Sequence, residues 1–352
     1  MAPSKSPRGK VLCSALRFYR PSLQVLEDRT LLSFITAPSY PAGNNPQSVV
    51  AADFNRDGIP DLAVADGALS GTVSILLGKG DGSFFAAKSY AVGSIPRSLA
   101  VGDLNGDGIA DLVTANSFAD TVSILVGNGD GTFQPAKNYA AGSHPQSVAV
   151  GDFNGDGALD LAVGGSNLGV GAVNILLGQG DGTFQPAREL RVPHAVSSVA
   201  VADFNRDNIP DLVAANDNLL SVLLGKGDGS FQSAKNYSIN ASSRMVAVAD
   251  FDGDGKLDLI VAHNVVGIFL YESLSVLPGK GDGTFQTAQT YEAGPGLVSF
   301  AARDLNGDGI LDLALAYASG TVGIFLGNSQ TAFPDLQSTS RVLTRAPLPW
   351  RT

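Results

Sequence analysis

Six short acidic loops hold most of the side chains in this sequence that are able to do chemistry. Each reads Asp-x-Asn/Asp-x-Asp-Gly/Asn-x-x-Asp-Leu, and they begin at Asp53, Asp103, Asp152, Asp203, Asp250 and Asp304. In the first, Asp53, Asn55, Asp57 and Asp61 alternate with Phe54, Arg56 and other non-liganding residues, so their oxygens can converge. The backbone carbonyl of Ile59 fills a further position, and Gly58 supplies a corner with positive φ. The second set is Asp103, Asn105, Asp107, Asp111 and the Ile109 carbonyl; the third is Asp152, Asn154, Asp156, Asp160 and that of Ala158. The fourth is Asp203, Asn205, Asp207, Asp211 and Ile209. Asp250, Asp252, Asp254, Asp258 and Lys256 make the fifth, and Asp304, Asn306, Asp308, Asp312 and Ile310 the sixth.

This spacing is that of the first nine positions of an EF-hand loop, and its hard oxygen donors suit Ca²⁺. No loop contains His or Cys, which argues against zinc or copper. Carboxylates confined this closely repel one another, so without a cation the hairpin loosens or some groups protonate. The fifth loop has a fourth carboxylate, Asp252, and is expected to bind most tightly; Asn208 replaces the corner glycine of the fourth, which Asn tolerates. More than half of the 33 acidic residues lie in these loops, so up to six Ca²⁺ would bring the net charge from -10 to roughly +2. The competing reading is an Asx-rich turn satisfied by backbone N–H groups.

The elements that must position the loops repeat with them, about every 50 residues, a period of propellers and solenoids. Each loop lies between short apolar runs, such as Ser147 to Val150 and Asp160 to Val163, which predicts a hairpin. A β-branched run follows, as in Thr72 to Gly78 and Thr121 to Gly127, and predicts a third strand. Then comes a Gly-x-Gly-Asp-Gly-Ser/Thr-Phe turn, at Gly78, Gly127, Gly178, Gly225 and Gly279, leading into a fourth strand such as Phe133 to Tyr139. The lone aspartates of these turns, Asp81, Asp130, Asp181, Asp228 and Asp282, read as turn chemistry, and Phe84, Phe133, Phe184, Phe231 and Phe285 as packing between units. The expected fold is all-β: a six-bladed β-propeller with four-stranded antiparallel blades. Seven blades would require one built from poorly matching sequence.

Phe34 to Tyr40 looks like a fourth strand without its turn, and Gly327 to Phe333 like a degraded turn, so the first is expected to complete the last sheet. This divides the chain into a basic leader, 1–33, the propeller, 34–333, and a tail, 334–352. The leader is a poor secretory signal, because Ser14 interrupts its longest apolar run, Val11 to Leu16. Cys13, the only cysteine, rules out an intrachain disulfide.

The two linked motifs resemble the FG-GAP or VCBS-type repeats of the integrin α-subunit head and of many bacterial surface proteins. The resemblance covers about residues 34 to 333. It implies a calcium-binding module outside the cell, secreted or on its surface, serving adhesion or protein interaction. A segment from Leu26 to Ser33 also resembles one near the N-terminus of secreted repeat proteins of some environmental bacteria.

Recognition is expected on the face opposite the metal loops, where the connections vary. Those between units carry Asn44, Gln47, Arg97, His144, Gln146, His194 and Arg244; the longest within a unit, His263 to Ser273, contains Phe269 and Tyr271. Such an aromatic loop suits a sugar ring or a peptide, although Val265 to Leu270 also reads as strand. The three histidines, His144, His194 and His263, come from different units and read as loop residues; no nucleophile elbow, zincin helix or phosphate loop is present. The chain is expected not to be an enzyme, with a polysaccharide-degrading activity as the remote alternative. The partner is expected to be an extracellular protein, or a glycan if the chain is lectin-like. Nucleic acid and a membrane span are excluded, and a monomer is expected.

Overall fold

The computed structural model describes residues 39–167, 170–239, 242–264 and 272–327, and all regular structure among them is β-strand. Sheet 1 joins β1 (Pro46–Ala52), β2 (Asp61–Asp66), β3 (Thr72–Leu76) and β4 (Lys88–Ala91). Sheet 2 holds β5 (Pro96–Gly102), β6 (Asp111–Asn116), β7 (Thr121–Leu125) and β8 (Lys137–Ala140). Sheet 3 has β9 (Ser147–Gly151), β10 (Asp160–Asn167), β11 (Val170–Leu176) and β12 (Arg188–Val192). Sheet 4 has β13 (Val196–Ala202), β14 (Asp211–Asn216), β15 (Leu219–Leu223) and β16 (Lys235–Ser238). Sheet 5 contains β17 (Ser242–Ala249), β18 (Asp258–Asn264), β19 (Glu272–Leu277) and β20 (Gln289–Gly294). Sheet 6 contains β21 (Leu297–Arg303), β22 (Asp312–Tyr317) and β23 (Val322–Phe325).

All pairings are antiparallel between sequence neighbours, and the fold is a six-bladed β-propeller. The sixth blade shows three strands among the described residues. One strand prediction needs correction. Phe133 makes only an isolated bridge to Gly127, and β8 starts at Lys137. The same gap separates Phe84 from β4 and Phe231 from β16, where no proline intervenes, so it belongs to the repeat.

The second strand of each of the first five blades is buried on both faces, as in β6, which is buried at every position, whereas in β22 of the sixth blade Ala316 is exposed. Alternate residues then pack against the blade before and the blade after. Between sheets 1 and 2, Phe54 and Ile75 meet Leu99, Leu112, Leu125 and Phe133, and four similar cores follow up to sheet 6. The innermost strands are also linked. The N–H groups of Leu99, Val148, Val199 and Val246 donate to the hydroxyls of Ser48, Ser98, Ser147 and Ser198, each one blade back, at 3.1–3.3 Å.

The predicted closing strand, Phe34 to Tyr40, lies outside the described residues except for its last two. Tyr40 meets Phe84 edge-on at 5.4 Å, as Tyr90 meets Phe133 at 5.6 Å. Among the described residues Val49 of sheet 1 and Val322 of sheet 6 are 59% and 61% exposed, although their equivalents Leu99 and Val73 are buried. The degraded turn beyond Gly327, the leader and the tail also lie outside the described residues.

Candidate functional site

Each acidic loop joins the first strand of its blade to the second, so all six hang from equivalent strand ends. Within loop 1, Asp53 accepts the N–H groups of Asp57 at 3.2 Å and Gly58 at 2.8 Å. Asn55 Oδ1 accepts the Asp57 N–H, and Asn55 Nδ2 donates to Asp57 Oδ2 at 2.9 Å. Asp57 Oδ1 in turn accepts the N–H of Ile59. The same amide-to-carboxylate pair joins Asn105 to Asp107, Asn154 to Asp156, Asn205 to Asp207 and Asn306 to Asp308. The seventh-position N–H groups of Ile109, Ala158, Ile209, Lys256 and Ile310 also donate to the aspartate two residues earlier. The side chains of positions one, three and five are therefore brought together, with the hydrogen bonds of an Asx-rich turn in place.

The ninth-position aspartates stand apart. Asp61, Asp111, Asp160, Asp211, Asp258 and Asp312 are buried beneath the loops. In each, Oδ2 accepts the N–H at loop position two, from Phe54, Leu104, Phe153, Phe204, Phe251 and Leu305. Oδ1 takes the first N–H of the turn between third and fourth strands, from Gly78, Gly127, Gly178, Gly225, Gly279 and Gly327. Sequence reasoning placed these residues with the ligands and missed this anchoring role. Its signal was the burial implied by an aspartate opening an apolar strand. Each carboxylate oxygen retains a second lone pair.

Loop 5 has the densest charge. Asp250, Asp252 and Asp254 each offer a carboxylate oxygen within 4.8 Å of the others, the one such trio among the described residues. Burial, with the charges of Asp254 and Asp250, pushes the Asp252 carboxyl up, while the Lys256 ammonium holds Asp254 down. Burial also lifts the anchors against their two hydrogen bonds: Asp160 and Asp258 reach about 6, and Asp111 and Asp211 move the same way. Donation from Gly309 and Gly307 lowers Asp304. A hard divalent cation fits this donor set, because clustered oxygen donors of net negative charge are what it binds.

Two arginines were also missed. Arg56 and Arg206 take positive φ values of 63° and 64° at the fourth loop position, which is glycine in the other four loops. Arg56 donates to the carbonyl of Gly108 at 3.0 Å, and Arg206 to that of Gly255, so each reaches the loop of the next blade. In the Gly-Asp-Gly turns, Asp81, Asp130, Asp181, Asp228 and Asp282 accept the hydroxyl and N–H of the Ser or Thr two residues on, which lowers each carboxyl. The phenylalanines that follow pack between blades: Phe133 on Phe54, Phe231 on Phe153 and Phe285 on Phe204.

On the opposite ends of the strands, Arg97 donates to Gln47 at 2.9 Å and Gln146 to Ser117 at 2.9 Å. Arg244 reaches the Leu297 carbonyl, and the N–H groups of Asn44 and His144 donate to Asp66 and Asp120. His263 corrects an expectation, since it lies within β18 and is 2% exposed, not in a loop. Its Nε2 pairs with Ser275 Oγ at 2.8 Å, and burial lowers it to about 4. Residues 265–271, with Phe269 and Tyr271, lie outside the described residues. Among the described residues no helix is long and apolar enough to cross a membrane.

A search of curated proteins finds no match to the chain. One similar solved structure carries the description of specific recognition of non-reducing terminal N-acetylglucosamine by an Agrocybe aegerita lectin. The likeness has 21% identity and a TM-score of 0.55, over 82% of this chain and 80% of that one. The V. cholerae biofilm matrix protein Bap1 is similar at 20% identity with a TM-score of 0.47, over 77% of this chain and 43% of that one. The FG-GAP-like repeat family matches residues 57–114, 103–163, 152–214 and 203–261, and with the loops and turns described above the chain belongs to that family.

Proposed function

We propose that this propeller is a calcium-loaded, non-enzymatic binding module that acts outside the cell. The observation that carries the calcium reading is the convergence of Asp250, Asp252 and Asp254, repeated with an Asn at the middle position in the other five loops. In each loop positions one, three and five, the seventh-position carbonyl and the anchoring aspartate would hold the ion. Calcium held there would supply positive charge and fix the hairpin. Loop N–H groups satisfy the oxygens as acceptors but cannot cancel two or more full charges per loop.

A rigid scaffold with variable connections favours a binding role, with an extracellular protein as partner in adhesion. A glycan is the second reading. It is supported by the lectin in the structural comparison and by a cleft between the second and third blades, described next. The test is to immobilise the chain and probe it with extracellular matrix proteins and a glycan array, in Ca²⁺ and in chelator. Calcium-dependent retention of unaltered ligand is expected, and release of shortened chains or new reducing ends would overturn the reading.

A further inference from the structure

The third strands of four blades carry a serine that hydrogen-bonds its register partner on the fourth strand. The pairs are Ser74 with Ser89 at 3.0 Å, Ser123 with Asn138 at 2.6 Å, Ser221 with Asn236 at 2.7 Å and Ser275 with Thr290 at 2.9 Å. In sheet 3 the partners are Asn174 and Glu189, and they make no such bond. Glu189 instead pairs with Arg191 Nε at 2.8 Å. Asn174 is 5% exposed, yet its carboxamide has no hydrogen-bond partner among the described residues. Neither atom of that carboxamide is cut off from solvent, so both are open to the hydroxyls of a ligand.

That carboxamide lines a cleft of about 560 Å³ between sheets 2 and 3, together with Tyr139, Phe184, Gln185, Pro186 and Glu189. The volume lies within the roughly 300–1,000 Å³ typical of small-molecule sites. Gly142 flanks it with φ of +80°, and a Cβ there would stand 2.3 Å from Asn174 Nδ2, so no other residue leaves the amide accessible. Tyr139 and Phe184, ring to ring at 5.5 Å, form an apolar wall with Pro186.

We infer that this cleft binds one unit of a neutral sugar, with Asn174 as its central polar contact. A carboxamide offers a donor and an acceptor at once, as adjacent ring hydroxyls require, and the Glu189 carboxylate accepts from a further hydroxyl. The C–H face of a pyranose suits the Tyr, Phe and Pro wall, and with Glu189 paired to Arg191 the cleft carries no net charge that would call for an ionic ligand. Sheets 1, 2, 4 and 5 lack the site because their serine pairs satisfy themselves, and sheet 6 has Gly323 at the position of Asn174.

This inference rests on the binding-module reading, and its test separates the two. Glucose, galactose, mannose and N-acetylglucosamine are titrated against the whole chain by calorimetry and saturation-transfer NMR. At least one sugar binds in the millimolar range, and Asn174→Ser, which restores the sister pairing, weakens it by at least ~10-fold. Glu189→Gln, an exposed change that leaves folding intact, weakens it by a few-fold, and the calcium response of melting stays unchanged in both variants. Equal binding by parent and both variants would overturn the inference, as would binding of a protein partner with no sugar bound. Either result leaves the module reading standing. Absence of all binding together with no calcium response would sink both.

Discussion

Asp61 holds Gly78: its Oδ1 accepts the glycine N–H at 2.7 Å, while Oδ2 takes the N–H of Phe54 at 2.9 Å. One buried side chain thereby ties the acidic loop of a blade to the turn between its outer strands. The carbonyl of Phe54 accepts the N–H of Gly131 in the next blade at 3.0 Å, so the tie passes between blades. Any ordering of the loops by a cation is transmitted along this path to the cores between sheets.

An anchor of this kind is testable by removing its oxygens. Asp211→Ala leaves the N–H groups of Phe204 and Gly225 buried and unpaired, at about 1–3 kcal/mol each. Denaturant melts in chelator are expected to show a loss of about 3 kcal/mol. A variant as stable as the parent without calcium would mean that Asp211 acts as a ligand alone.

The serine ladder makes a smaller claim. Ser98→Ala removes the acceptor for the Val148 N–H between blades 2 and 3 and is expected to lower stability by about 1 kcal/mol. Met245, which occupies the ladder position in sheet 5, shows that one rung can be absent. A Ser98→Ala melt indistinguishable from the parent would remove the ladder from the account.

Burial of His263 gives stability a pH dependence of known sign. Its folded-state value, about 4, lies below the ordinary 6.5, so the unfolded chain takes up the proton first as pH falls. The contribution is complete above pH 6.5 and is lost between 6.5 and about 4, amounting to about 2 kcal/mol at pH 5. His263→Gln can keep a hydrogen bond to Ser275 and does not titrate. The variant is expected to lose about 2 kcal/mol less than the parent between pH 7.5 and 5; parallel losses would contradict the assignment. With calcium chelated, Asp160 and Asp258 act in the other direction, because values raised to about 6 favour the folded state as pH falls through 6.

Much of this architecture is legible in the sequence because a repeat states its own period. Asp53 and its five counterparts mark the blade spacing, and the alternation around them marks the hairpins. The loops hid a second role: Asp61 and Asp57 are the same residue type, and only burial marks Asp61 as the ligand candidate that also anchors the outer turn. Arg56 was opaque because local propensity places glycine at a positive φ, whereas the carbonyls it reaches belong to another blade. His263 misled because it occupies the sixth position of its strand, held by the polar Asp66, Asn116 and Asn216 in β2, β6 and β14, which reads as the start of a loop but is buried in every one of these blades. Asn174 was readable in principle, as the one amide in a column of four serines and Gly323, but its broken pairing with Glu189 depends on Arg191.

The most direct test of the account is thermal melting of metal-free chain in chelator and in millimolar Ca²⁺. Each site filled at 100 times its dissociation constant adds about 2.7 kcal/mol, so calcium is expected to raise the Tm by many degrees. Asp252→Asn is expected to remove the part of that rise that appears at the lowest calcium. Superimposed curves with and without calcium would contradict the claim that cations order these loops.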